Sequence, residues 1–225
     1  MAKMMVANHK MNMDLPDILN YIAKLKQIDK EIIICPTAIY APYFIKAGFT
    51  TGLQNIYYQD KGAYTGEISA AQAKSLGAEY VIIGHSERRD IFKETNQDIN
   101  KKIQKALEHD LKVILCLGEH QDEDYHQVLA QQLQECLAGI DREVIIAYEP
   151  VWAIGTGLTP TNEQITQAIT YIKSLLDYDV KILYGGSVNS KNIEILNAVN
   201  VVSGYLIGGA STKIDELIKI SEVVL

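Results

Sequence analysis

The sequence has 225 residues, of which 48% are hydrophobic and 22% are charged, the usual balance for a globular protein that buries a sizeable core. This length allows one domain or two, because α/β barrels reach this size as single domains. The formal net charge of −7 argues against nucleic acid or an anionic membrane as the main partner, but it leaves an anionic small molecule open.

Short apolar runs rich in β-branched residues recur along the chain and predict eight strands. The predicted strands are Met4–Asn8, Ile32–Cys35, Gly52–Ile56, Tyr80–Gly84, Val113–Leu117, Val144–Tyr148, Lys181–Tyr184 and Tyr205–Ile207. Between them, apolar residues at helical spacing form four stripes: Leu15, Ile18, Leu19, Ile22 and Leu25; Ile99, Ile103, Ala106 and Leu107; Ile165, Ala168, Ile169, Ile172 and Leu176; Ile214, Leu217, Ile218 and Val223. Helix starts are expected at Thr161-Asn162-Glu163 and Asn189-Ser190-Lys191, whose side-chain oxygens can cap free N–H groups.

Strands that alternate with helices indicate an α/β fold with a parallel sheet covered by helices. Eight such units with no break in composition favour a closed (β/α)₈ barrel that residues 1–225 form as a single domain, and a doubly wound open sheet is the alternative. In such a barrel the active site lies at the C-terminal ends of the strands, so the polar residues found there are the candidates for function.

The first and fourth predicted strands end in polar residues with the same spacing. Asn8 and Lys10 are two residues apart, so both should point into the barrel mouth while His9 points away. After the fourth strand, His85 and Glu87 have this spacing again. We interpret Lys10 as a partner for an anion, His85 as either catalytic or a core histidine, and Glu87 as the group that orients Lys10. The following Arg88 and Arg89 are expected to be structural ion-pair donors.

A carboxylate, Glu149, ends the sixth predicted strand, and a stiff Pro-Val-Trp segment and a tip of small residues follow it up to Gly157. A general base beside a mobile lid suits an enzyme that removes a proton from carbon while excluding water. Trp152 is expected to pack beneath this loop as a hinge anchor.

Glycine turns open the helices after the seventh and eighth strands, at Gly185-Gly186-Ser187 and Gly208-Gly209-Ala210. Glycine lets backbone N–H groups approach an anion closely, and barrels of this kind commonly bind phosphate at these two loops. The pair of turns therefore predicts a phosphate site.

The three cysteines, Cys35, Cys116 and Cys136, have no metal-ligand or CxxC spacing. Buried free thiols in a reducing compartment are the favoured interpretation. The first residues lack the long apolar stretch of a signal peptide or a membrane span, so we expect a cytoplasmic protein.

Taken together, Asn8-x-Lys10, GHSERR at 84–89, YEPVWAIGTG at 148–157, YGGS at 184–187 and GGAS at 208–211 resemble the triosephosphate isomerase family over nearly the whole chain. The resemblance implies interconversion of dihydroxyacetone phosphate and D-glyceraldehyde 3-phosphate through an enediolate, without a metal or organic cofactor. It also implies that the stretch Gln59–Glu67 is a protruding loop that inserts into a second copy of the chain in a homodimer.

The same resemblance assigns roles to individual residues. Glu149 matches the base, His85 the electrophile, and Lys10 the cation that binds substrate and stabilises the developing charge; this family is itself the standard example of a carboxylate base beside a neutral imidazole. Asn8 matches a residue that orients Lys10, and Glu87 matches the partner that holds it. The backbone N–H groups implied to hold the phosphate are those of Gly155, Ser187, Gly208 and Gly209, and the segment 150–157 matches the lid.

The chain departs from the family pattern at three positions and in its length. His9 stands where the family often has Trp, Leu158 replaces a common Lys at the far hinge of the lid, and Ser203 replaces a frequent Asp. The chain is also shorter than the roughly 250 residues typical of such barrels. These changes bear on lid motion and stability more than on chemistry.

Three other functions fit the residues less well. A Schiff-base aldolase needs a lysine in an apolar pocket, whereas Lys112 and Lys181 stand at strand starts, the wrong end of the barrel. A metal-dependent hydrolase needs histidines that face each other at strand ends, which the five histidines do not provide. A non-catalytic binder of sugar phosphates would not need Glu149, His85 and Lys10 together.

Overall fold

The computed structural model describes residues 3–28 and 31–225, and eight parallel strands form its sheet. They are β1 (Met4–Asn8), β2 (Ile33–Cys35), β3 (Gly52–Leu53), β4 (Tyr80–Ile83), β5 (Lys112–Leu117), β6 (Ile145–Tyr148), β7 (Ile182–Tyr184) and β8 (Gly204–Ile207). Their order is β2-β1-β8-β7-β6-β5-β4-β3. The outer strands meet through a bridge between Ile34 and Thr51, where the Ile34 N–H donates to the Thr50 carbonyl at 3.0 Å. The (β/α)₈ barrel is therefore confirmed, and the open sheet is wrong.

The third strand is shorter than the expected Gly52–Ile56, because a side chain takes over hydrogen bonds that a longer ladder would make. The Gln54 amide donates to the carbonyls of Lys10 at 2.8 Å and Cys35 at 2.9 Å. Gln54 thereby ties the ends of the first two strands to the third.

Helices surround the barrel, and four of them coincide with the four predicted apolar stripes. They are α1 (Leu15–Leu25), α2 (Ala41–Lys46), α3 (Ala70–Leu76), α4 (Ser86–Asp90), α5 (Asn96–Glu108), α6 (Tyr125–Cys136), α7 (Asn162–Ser174), α8 (Ile193–Asn197) and α9 (Ile214–Val224). Thr161 caps α7 as expected, with Gln164 completing a reciprocal capping box. The start expected at residues 189–191 is wrong, because α8 begins at Ile193 and Asn189 instead accepts the Lys191 N–H in a turn.

The buried face of α1 is narrower than its apolar pattern predicts. Ile18, Ile22 and Leu25 are buried, but Leu15 is 37% exposed and Leu19 is 51% exposed. Each residue turns the helix by about 100°, which places both leucines on the flank of the stripe. A flank position leaves a leucine in contact with water even though its spacing is correct.

Two apolar layers hold the barrel together. Inward side chains fill its interior, and outward ones pack against the helices: the interior set includes Val6, Ile82, Ile114, Cys116, Leu183 and Leu206. All three cysteines are buried free thiols, as predicted. Within residues 3–28 and 31–225, no helix is both long enough and apolar enough to cross a bilayer.

His9 leaves β1 in the predicted direction, away from the barrel mouth, but it is fully buried. Its ring stands edge-on against Tyr21, with centroids 4.9 Å apart, and against Phe44 at 5.8 Å. Neither ring nitrogen has a hydrogen-bond partner within the described part of the chain. Burial lowers the pKa of His9 to about 3.

Candidate active site

A cavity of about 430 Å³ opens at the C-terminal ends of the strands. Side chains of Asn8, Lys10, His85 and Glu149 line one part of it, and backbone-rich turns line the rest. The predicted residues that the structure brings together here are Asn8, Lys10, His85, Glu149, Gly155, Ser187, Gly208 and Gly209. Glu87 lies behind the cavity rather than in its wall, and it reaches the site through Lys10.

Lys10 is held in place by its backbone and by its ammonium group. Its φ of 52° is in the left-handed region, and the Asn8 Oδ1 atom accepts its N–H at 3.1 Å. Its carbonyl accepts from Thr37 and Gln54. The Lys10 Nζ atom then lies 2.7 Å from Glu87 Oε1. Asn8 therefore orients the lysine backbone, and Glu87 fixes the ammonium group.

The hydrogen bonds of His85 determine which of its ring nitrogens carries a proton. His85 directly precedes α4, and its Nδ1 atom accepts the backbone N–H of Glu87 at 3.2 Å. A nitrogen that accepts a hydrogen bond carries no proton, so this geometry describes a neutral ring with its proton on Nε2. The Nε2 atom lies 3.2 Å from Glu149 Oε1. The ring therefore presents a donor to the cavity.

Glu149 follows β6 and is only 2% exposed. Its Oε1 atom faces His85, and its Oε2 atom accepts the backbone N–H of Ser86 at 3.2 Å. A buried carboxylate needs such donors, because burial without them is costly. One carboxylate and one neutral imidazole therefore lie side by side in a site largely shielded from water.

Two glycines make room for Glu149. A Cβ on Gly118 would lie 1.7 Å from the Glu149 carbonyl oxygen, and a Cβ on Gly185 would lie 2.8 Å from its Cγ atom. Beneath it, burial and then the nearby Glu149 carboxylate raise the pKa of the Cys116 thiol. Sequence reasoning missed Gly118, although a glycine directly after a strand is a signal of close backbone approach.

The glycine turn after β8 offers backbone N–H groups to the cavity. Gly208 precedes a short 3₁₀ turn, Gly209–Thr212, and its carbonyl accepts both the N–H and the hydroxyl of Ser211, at 2.8 and 2.7 Å. The first N–H groups of a helical turn have no partner within it, which suits them to an anion. A Cβ on Gly208 would lie 3.2 Å from the Cε atom of Lys10, so the turn and the lysine face one space.

The turn after β7 is tied to the last helix. The Ser187 carbonyl accepts from the Asn192 amide at 2.9 Å, and the Ser190 N–H donates to Glu216 Oε1 at 2.8 Å. This backbone hydrogen bond lowers the pKa of Glu216. The two glycine turns are thus fixed relative to each other by α9.

The segment 150–157 contributes Ile154 and Gly155 to the cavity wall. Its hinge side is anchored by Trp152, whose indole N–H donates to Glu119 Oε1 at 3.1 Å. The same oxygen accepts the Tyr148 hydroxyl at 3.0 Å, and burial raises the pKa of Glu119. Residues 155–158 are exposed, and Gly155 has a φ of 70°. Trp152 therefore packs as a hinge anchor, while the tip has few contacts to restrain it.

The other two departures also have local consequences. Leu158 is 56% exposed, and its N–H donates to the Thr156 hydroxyl. Because its side chain is apolar, it makes no ion pair at the far hinge of the lid. The Ser203 hydroxyl accepts the N–H of Ile182 at 3.2 Å, next to the ladder between β7 and β8. Ser203 thus makes a neutral hydrogen bond at this position.

A buried charged cluster lies behind α4. Glu94 pairs with both Arg88 and Lys102, and Lys102 also donates to Asn55 Oδ1 at 2.8 Å. Burial lowers the pKa of Lys102. The expectation of an ion pair is met for Arg88. For Arg89 it is wrong, because that guanidinium donates to backbone carbonyls and to a neutral side-chain amide.

The rival functions find little support in the same geometry. Lys112 is the first residue of β5, and Lys181 directly precedes β7, so both lie at the end of the barrel opposite the cavity. No group of three or more His, Cys, Asp or Glu side chains within residues 3–28 and 31–225 is placed to hold a metal ion.

Comparison with known proteins places nearly the whole chain in one family. A family model described as triosephosphate isomerase matches residues 3–224. The triosephosphate isomerase of Dehalococcoides mccartyi is 44% identical, covering 95% of this chain and 92% of its own. Those of Thermodesulfovibrio yellowstonii and Alkaliphilus oremlandii are 42% and 38% identical, covering 93% and 98% of this chain and 94% and 99% of theirs. With this fold and these matches, the chain belongs to the triosephosphate isomerase family and is an isomerase.

Proposed function

We propose that this isomerase interconverts dihydroxyacetone phosphate and D-glyceraldehyde 3-phosphate through an enediolate. The observation that carries the proposal is the pair formed by the buried Glu149 carboxylate and the neutral His85 ring, 3.2 Å apart, in a cavity that also holds the Lys10 ammonium group. The family and the names of the relatives support the substrate. The reaction needs only these side chains, with no metal and no organic cofactor.

Each of the three groups has a distinct role. Glu149 takes the proton from one carbon and returns it to the next, which requires a base within reach of both. The His85 Nε2–H group donates to the carbonyl oxygen as negative charge develops there, and Lys10 stabilises the same charge electrostatically. Glu87 and Asn8 hold Lys10 in position for this task.

The phosphate of the substrate is bound by backbone N–H groups rather than by a dedicated arginine. We assign these groups to Gly155, Ser187, Gly208 and Gly209, which surround one end of the cavity. Closure of the segment 150–157 brings Gly155 to the phosphate and excludes water. An enediolate phosphate expels its phosphate readily when exposed, so the lid protects the intermediate.

The test is an isomerase assay in both directions with the Glu149→Ala variant. A positioned general base contributes roughly 10²- to 10⁴-fold, so we expect kcat to fall by at least about 100-fold. The affinity for 2-phosphoglycolate and the circular dichroism spectrum should change little. Glu143→Ala, which removes an exposed acid, serves as the matched control. Near-normal turnover of Glu149→Ala would remove the assigned base.

We further propose a homodimer in which residues 59–67 insert into a second copy of the chain. The connections after β1, β2, β3 and β4 are neighbours at one end of the barrel and carry exposed apolar side chains: Met11, Ile39, Tyr43, Tyr64, Ile91 and Phe92. Such a grouping at one end favours an interface. Deletion of residues 61–66 should give monomers with low activity in light scattering and kinetics, and an unchanged mass would contradict the interface.

We place the protein in the cytoplasm as one domain, with no nucleic acid or membrane partner. The three buried free thiols support a reducing compartment, and the net charge of −7 disfavours polyanionic partners.

A further inference from the structure

The cavity contains a second lysine, Lys213, that the roles above leave unused. Lys10 and Lys213 are the two cationic side chains in its wall, and Glu149 and Glu216 are the acidic ones. Glu87 adds a third carboxylate directly behind Lys10. A phosphate ester that enters this cavity therefore meets carboxylates that outnumber the ammonium groups, on a chain with a formal net charge of −7.

The two lysines differ in how much of their charge is available to an incoming anion. Lys10 is 2.7 Å from Glu87, which neutralises much of its field. Lys213 is exposed and forms no ion pair with any residue of the described ranges. Its neighbour Glu216 is occupied by the Ser190 N–H at 2.8 Å. The Ser190 hydrogen bonds, and less strongly the charges of Lys219 and Lys213, lower the pKa of Glu216. Lys213 therefore has no close ion-pair partner and leaves more of its charge available to an anion than Lys10 does.

The backbone of Lys213 is fixed close to the glycine turn. Its N–H donates to the Ala210 carbonyl at 3.3 Å, and its own carbonyl accepts the first N–H groups of α9, from Glu216 and Leu217, both at 3.0 Å. It thus follows the turn Gly209–Thr212 directly. Its exposed side chain lies at the edge of the predicted phosphate site.

We propose that Lys213 attracts the phosphate group of the substrate into the cavity and strengthens its binding, without taking part in proton transfer. This inference rests on the proposed function, because it names a further residue of the same site. A cation at the rim with no close ion-pair partner acts on the anion equally before and during the reaction. Such uniform binding lowers KM and leaves kcat unchanged. Salt screens it, since the Debye length falls to roughly 3 Å at 1 M.

The experiment compares Lys213→Gln, Lys213→Arg and Lys219→Gln. Lys219 is an exposed lysine on α9 that lies outside the cavity. At low ionic strength we expect Lys213→Gln to raise KM by about three- to tenfold, with kcat within about twofold of the parent. Lys213→Arg and Lys219→Gln should retain the parent KM. At 0.5 M NaCl the difference between Lys213→Gln and the parent should shrink to about twofold or less.

The inference is overturned if Lys213→Gln and Lys219→Gln have the same KM, or if Lys213→Gln lowers kcat at constant KM. Titration calorimetry with inorganic phosphate tests the role of Lys213 independently of the isomerase activity. If the parent protein isomerises neither triose phosphate, the proposed function fails. Weaker phosphate binding by Lys213→Gln would then still support its role, and equal binding would refute it.

Discussion

Replacement of His9 by phenylalanine tests whether a buried, unpartnered imidazole limits the stability of the barrel in acid. The ring is fully buried between Tyr21 and Phe44, with both nitrogens unpaired within the described ranges. In this environment the ring must stay neutral, because a charged imidazole would be buried without a partner. Phenylalanine retains the aromatic contacts and cannot take up a proton.

The size of the effect follows from the pKa of His9. Burial lowers it from 6.5 to about 3. Between these values the unfolded chain binds a proton at His9 that the folded protein does not, so stability present above pH 6.5 is lost as the pH falls. Each pH unit in this window is worth about 1.4 kcal/mol. From pH 7 to pH 5, His9 should therefore cost the folded state about 2 kcal/mol.

Urea unfolding at pH 7 and pH 5, followed by circular dichroism at one protein concentration, measures this pH-dependent loss in the free energy of unfolding. We expect the free energy of unfolding of His9→Phe to fall less than that of the parent, by about 2 kcal/mol. The slightly larger ring changes packing by the same amount at both pH values, so it cancels in the comparison. Parallel losses in His9→Phe and the parent would refute the reasoning.

Three further changes have defined outcomes. Gly185→Ala would place a Cβ 2.8 Å from Glu149 Cγ and displace the carboxylate. The kcat in the isomerase assay should therefore fall by about 10- to 100-fold, and an unchanged kcat would show that the Glu149 carboxylate keeps its position. Trp152→Phe removes the indole donor at the lid hinge; stopped-flow fluorescence of a labelled lid should show a changed opening rate, with the fold unaltered in circular dichroism. Lys102→Met leaves Glu94 buried without one of its cations and should lower the free energy of unfolding by roughly 3–5 kcal/mol in urea titrations, whereas a loss below about 1 kcal/mol would mean that solvent reaches the carboxylate.

The barrel and most of its site could be predicted from the sequence because both depend on short-range patterns. Apolar runs mark strands buried on both faces, and two-residue spacing at a strand end fixes which side chains share a direction. That rule placed Asn8 and Lys10 in the cavity wall, with His9 on the other side of the sheet. The close match of several motifs to one family then supplied the expected roles.

What the sequence did not reveal depends on contacts between distant segments. The early end of β3 comes from Gln54 bonding to residues of two other strand ends, and the need for Gly118 comes from the passing backbone of Glu149. Lys213 resembles any surface lysine at the start of a helix until the fold brings it beside the glycine turn. The burial of the His9 ring without hydrogen-bond partners depends likewise on Tyr21 and Phe44, which belong to other elements.

The ion pair between Lys10 and Glu87 changes how substitutions at this lysine should be interpreted. Lys10→Ala deletes an ammonium group and also releases a half-exposed carboxylate, which then repels the phosphate that the cavity must admit. The loss of activity in Lys10→Ala therefore includes the repulsion from Glu87 as well as the loss of the ammonium group. Taken alone, it overestimates the contribution of Lys10 to catalysis. The double variant Lys10→Ala/Glu87→Gln lacks the stray acid, and the activity it recovers over Lys10→Ala measures that repulsion separately.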